Sequence, residues 1–119
     1  MNIQIHAKDF PMTDALREHV VRRLAYALNH GQDVLSRAVV RLSDVNGNRG
    51  GVDKSCSIEL RLKGAADVIV EDVQDDLYVA IDRASERTGR LLDRRLDQLR
   101  EHARVTHRDR ESLVVGNPD

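Results

Sequence analysis

The chain has 119 residues, 40% of them hydrophobic and 33% charged, with 19 Lys and Arg set against 20 Asp and Glu. That length suits one domain able to hide about two thirds of its unfolded surface, and a net charge of -1 argues against a protein that grips nucleic acid with its whole surface. Aromatics are 3% and Trp is absent, which argues against an aromatic base-stacking platform and leaves the core to Val, Leu, Ile and Ala.

Residues 2–8 alternate, with Ile3, Ile5 and Ala7 on one side and Gln4, His6 and Lys8 on the other, the period of a half-buried strand. This start lacks the apolar stretch of a signal peptide. Phe10 and Pro11 end the strand. Thr13 then stands where a helix N-cap belongs, with Asp14 in the first turn. Leu16, Val20, Leu24 and Leu28 recur at i+4 and predict a helix to about Asn29, stopped by Asn29-His30-Gly31.

Ala38, Val40 and Leu42 alternate with Val39, Arg41 and Ser43 to make a second strand. Asn46 to Lys54 is Gly-rich and predicts the tip of a long hairpin, from which Arg49 and Lys54 could make backbone contacts. It lacks the terminal Lys-Ser/Thr of a phosphate loop. A third strand puts Cys56, Ile58, Leu60 and Leu62 inward and Ser57, Glu59, Arg61 and Lys63 outward. Gly64 turns the chain into a fourth strand at Val68-Ile69-Val70.

Asp75 and Asp76 open a second helix that should run to about His102. Residues 1–103 then form the domain, and residues 104–119 read as a flexible tail, with Leu113, Val114 and Val115 able to dock. The fold class is α+β. The β-α-β-β-β-α order predicts a two-layer domain, with a four-stranded sheet and both helices on its apolar face.

At about 100° per residue, Arg83, Arg87, Arg90 and Arg94 form one stripe on the second helix, roughly 16 Å long. Asp82, Glu86, Asp93 and Asp97 form another beside it. The stripe could meet two or three phosphates, or it could be a solvated ion-pair surface joining Glu86 to Arg90 and Arg83. The first helix offers Arg17, Arg22 and Arg23.

No catalytic constellation is present. Cys56 is the only cysteine, so no intramolecular disulfide or cysteine zinc cluster can form. Its inward phase marks a packed thiol. His6, His19, His30, His102 and His107 include no pair at the i, i+4 spacing of a helical metal site, and they read as scattered surface histidines. The expectation is no enzyme, no cofactor, no metal, no small-molecule substrate and no membrane partner, in a cytoplasmic setting.

Two segments resemble the ribosome hibernation-promoting factor family. Met12 to Val20 resembles the start of its first helix. Asp76-Leu77-Tyr78-Val79-Ala80-Ile81-Asp82, with the basic continuation to Leu96, resembles its second. The resemblance covers about residues 1–103 and suggests a short form. It implies a fold like the double-stranded-RNA-binding domain. It also implies binding to the small ribosomal subunit and its rRNA, with steric blocking of the mRNA and tRNA channel. The matching RNA-contact positions would be Arg17, Arg22, Arg23, Arg83, Arg87, Arg90 and Arg94. Departures from the pattern are the neutral charge, the longer Gly-rich segment, and Lys63-Gly64-Ala65-Ala66-Asp67 in place of an Asn-Gly-Gly and His stretch. They mark a diverged branch. The alternative they leave open is a protein-interaction or stress-response module that kept the fold and no longer binds RNA. Homo-oligomerisation is left open.

Overall fold

The computed structural model describes the backbone of residues 2–44 and 53–116, and side chains through residue 103. Most of the Gly-rich hairpin tip, Arg49 included, lies outside the described residues, as do the side chains of Leu113, Val114 and Val115.

Strand β1 (Ile3–Lys8) leads into helix α1 (Asp14–Leu28), which closes in a 3-10 turn over Asn29–Gly31. Thr13 caps α1 as its sequence position predicts. Its backbone is extended and its Oγ1 accepts a 3.1 Å hydrogen bond from the Leu16 amide, satisfying one of the orphan donors of the first turn. Strands β2 (Leu35–Asp44), β3 (Lys54–Leu62) and β4 (Val68–Gln74) follow, then helix α2 (Leu77–Gly116). Asp76 Oδ1 accepts from the Tyr78 amide at 2.8 Å and starts α2.

The sheet runs β1-β2-β3-β4. β1 pairs parallel with β2 across the α1 crossover, while β2 with β3 and β3 with β4 are antiparallel. This is the expected β-α-β-β-β-α domain, with β1 at the edge beside β2. Gly64 takes the left-handed conformation (φ 75°) that the turn after β3 needs.

The inward registers come out as their alternation requires. Val40 sits opposite Ile58, and Ile58 opposite Val70. Both helices bury one stripe on this face. Leu24, Leu28, Ile58, Leu60, Ile81 and Leu92 are fully buried within a single core cluster. Each such side chain contributes about 1.5–3 kcal/mol of transfer free energy. Cys56 is buried among them.

Two boundaries differ from the sequence expectation. β4 continues past Val70 to Gln74, because its backbone pairs with β3 as far as Gln74 opposite Lys54, whatever the acidic character of Glu71 and Asp72. α2 continues past His102 to Gly116. Its apolar period fades there because a helix of 40 residues, about 60 Å long, outruns a sheet whose longest strand has 10 residues.

Candidate nucleic-acid interface

Arg83, Arg87, Arg90 and Arg94 are all exposed. With Ile81, Ala84 and Leu92 buried beneath α2, the 100° wheel places this stripe opposite the core, along the crown of the helix. Arg83 and Arg94 make no ion pair among the described residues. Arg90 has only a loose pairing, 3.8 Å from Glu86 Oε1. Arg87 bends toward the sheet edge, donating to the Glu71 carbonyl at 3.0 Å with Asp72 Oδ2 at 3.5 Å.

The neighbouring acidic stripe meets a different fate. Asp82 and Asp93 face α1 and its 3-10 turn while staying partly open to solvent. His19 Nε2 lies 2.7 Å from Asp82 Oδ1, and Arg23 Nε lies 3.1 Å from the same oxygen. The Arg23 N–H does not point along that line, so the contact is an ion pair and not a hydrogen bond. His30 pairs with Asp93. The His19 ring also stands edge-on to Tyr78, with centroids 4.9 Å apart. The two histidines expected as scattered surface groups are thus cross-links of the helix seam. Their partners are far away in sequence, so no spacing rule could reveal them.

Of the stripe carboxylates, Asp82 and Asp93 meet side chains of the α1 segment, while Glu86 and Asp97 stay exposed beside Arg90 and Arg100. A chain with a net charge of -1 thus still presents a row of exposed arginines along α2, a local feature that an overall count conceals.

The α1 arginines divide. Arg22 is exposed and pairs with Glu18 one turn away. Arg23 is half-buried in the seam with Asp82. Arg17 is exposed, but it falls about 160° around α1 from His19, on the flank turned away from α2. The structure brings Arg23 and the α2 carboxylates together, and leaves Arg17 apart from the crown.

The other side of the sheet carries one carboxylate between two arginines. Glu59 lies 3.7 Å from both Arg41 and Arg61. Lys54, on the inward phase of β3 two residues before Cys56, pairs with Asp44 and Asp53, each at 3.3 Å. No described trio of His, Cys, Asp or Glu could hold a metal ion, and no described helix is long and apolar enough to cross a membrane. Burial pushes the Cys56 thiol up to about 12, with the Asp72 carboxylate adding to the effect. A thiol so held is a poor nucleophile.

One residue that the motif reading passed over stands at this interface. Tyr26 is 82% exposed. It borders a groove between the helices with Arg23, Ala27, Asn29, His30, Glu86 and Gly89. Its place on α1, three residues after Arg23, was the available signal.

Residues 3–100 match the family model described as sigma 54 modulation protein / S30EA ribosomal protein. The crystal structure of the Protein Y N-terminal domain from Thermus thermophilus matches with a TM-score of 0.66 at 34% identity, covering 79% of this chain and 98% of that one. The structure of a ribosomal subunit interface protein from Coxiella burnetii matches with a TM-score of 0.68, covering 79% and 96% of the two chains. At 19% identity that second likeness concerns the fold. No curated protein sequence matches the chain.

Proposed function

Because this chain belongs to the sigma 54 modulation protein / S30EA ribosomal protein family, we propose that it is a cytoplasmic, non-enzymatic hibernation factor. It binds the small ribosomal subunit through rRNA and occupies the mRNA and tRNA channel as a steric block. The observation that carries this reading is the row of exposed arginines on the helical layer. Arg83, Arg87, Arg90 and Arg94 line the crown of α2, while Asp82 and Asp93 are drawn into the seam.

The mechanism requires no chemistry. Arg83 and Arg94 carry uncompensated guanidinium groups that can form bidentate, charge-assisted hydrogen bonds to phosphate. Arg90 can exchange its loose contact with Glu86 for a phosphate oxygen, and Arg22 can do the same with Glu18. Arg17 and Arg23 contribute less directly, one from the far flank and one through the seam. A two-layer wedge with a continuous core resists deformation, which is what a steric block needs.

Sucrose-gradient co-sedimentation with purified small subunits, at low and moderate salt, tests the reading. The protein should travel with the subunit at low salt, and its affinity should fall steeply as salt rises. A protein that stays at the top of the gradient at every salt concentration would instead favour the module that kept the fold and no longer binds RNA.

A further inference from the structure

Tyr26 is the most exposed of the large hydrophobic side chains described, at 82%. A single exposed aromatic is ordinarily of no consequence. This one stands at the wall of a groove of about 440 Å³, within the size range of small-ligand sites. The floor is Gly89 of α2 against Ala27 of α1. Arg23 lies at i-3 from Tyr26, so the two side chains neighbour each other on one face of α1. Asn29 and Glu86 supply polar groups at the edges, and the Glu86 carboxylate is loosely held by Arg90 of the crown.

We propose that this groove takes one unstacked nucleobase of the bound RNA, laid on the Tyr26 ring. Arg23 borders the same groove beside Tyr26, held in place by its ion pair with Asp82. Aromatic rings and Arg planes are the usual supports for bases splayed out of a helix, and a single stacked base needs no aromatic platform. Arg22 and Arg90, each exposed beside the groove and held only by a surface carboxylate, favour RNA as the occupant. Phosphates flanking the base would meet Arg90 on the α2 side and Arg22 on the α1 side, both exposed. Asn29 can donate to the base edge and Glu86 can accept from it. The inference rests on the ribosome-binding reading and adds to it a definite contact with a looped or bulged base.

The test compares Tyr26→Ala and Tyr26→Phe with the parent protein for binding to small subunits across a salt series. The exposed position makes either variant neutral for folding. Tyr26→Ala should weaken binding about ten- to a hundredfold, the range of a lost base-aromatic stack. Its salt dependence should be unchanged, since stacking releases no counterions. Tyr26→Phe keeps the ring and should bind like the parent. Chemical probing of the rRNA should show one unpaired base protected by the parent and by Tyr26→Phe, but reactive with Tyr26→Ala. Equal affinity of Tyr26→Ala and the parent would overturn the stacking site and leave the ribosome-binding reading standing. A parent protein that fails to bind subunits at any salt concentration would overturn both.

Discussion

Gly89 of α2 lies so close to Ala27 of α1 that a Cβ at position 89 would stand 3.1 Å from the Ala27 carbonyl oxygen and 3.3 Å from its Cβ. A mid-helix glycine costs about 1 kcal/mol relative to alanine, and here that cost allows the two helices to close over the core. The near atom is backbone, which cannot swing aside. Gly89→Ala should therefore lose stability by about 1 kcal/mol instead of gaining it, because overpacking of this kind costs about 1–3 kcal/mol. Urea denaturation gives the sign directly, and a stabilised variant would show that the helices can part freely.

The seam makes a second prediction. Asp82 pairs with both His19 and Arg23 at partly exposed positions, so Asp82→Asn should cost about 1 kcal/mol, near the upper end for such pairs. The loss should shrink in 1 M salt, where screening acts over about 3 Å. A variant as stable as the parent at low salt would make the seam incidental to folding.

Cys56 sets a pH dependence with a definite sign. Its folded thiol is pushed up to about 12, from an ordinary 9.0. The folded state therefore holds a proton that the unfolded state gives up. The resulting stability is fully present below about pH 9 and is lost as pH rises toward 12, at up to about 1.4 kcal/mol per pH unit. Cys56→Ala should abolish this part of the alkaline slope in denaturation series from pH 8 to pH 11. In the parent at pH 8, a thiol reagent should label Cys56 only as fast as the protein opens, and rapid labelling of the native state would contradict the buried assignment.

Much of this architecture was legible in the residues. The alternation from Cys56 to Leu62 and the i+4 row from Leu16 to Leu28 select one interior face, and both are buried as their periods require. Thr13 and Asp76 mark the helix starts by their capping chemistry. The far end of α2 was not legible, because a helix that leaves the sheet has no face to keep apolar. The end of β4 was hidden too, since its pairing is a backbone property that Glu71 and Asp72 do not advertise. The site was visible as a row of arginines at helical spacing. What the row could not show is where its acidic neighbour points. That depends on the rotation of α2 against α1, and on partners such as His19 and Asp82 that lie 63 residues apart.

The crown itself offers the sharpest comparison. Reversing Arg87 and Arg90 disturbs the contacts with Glu71, Asp72 and Glu86, so some loss of stability would accompany any loss of binding. Arg83 and Arg94 make no ion pair among the described residues and are exposed. Arg83→Glu with Arg94→Glu should keep the parent's denaturation midpoint within about 0.5 kcal/mol.

The affinity of that double variant for small ribosomal subunits, measured across a salt series, therefore tests the central claim with folding held constant. The account predicts a loss of at least about tenfold at moderate salt. It also predicts a shallower slope of log affinity against log salt, by roughly 0.7–0.9 for each phosphate contact removed. A folded double variant that binds as tightly as the parent, with the same salt slope, would contradict the assignment of the α2 crown as the anchor.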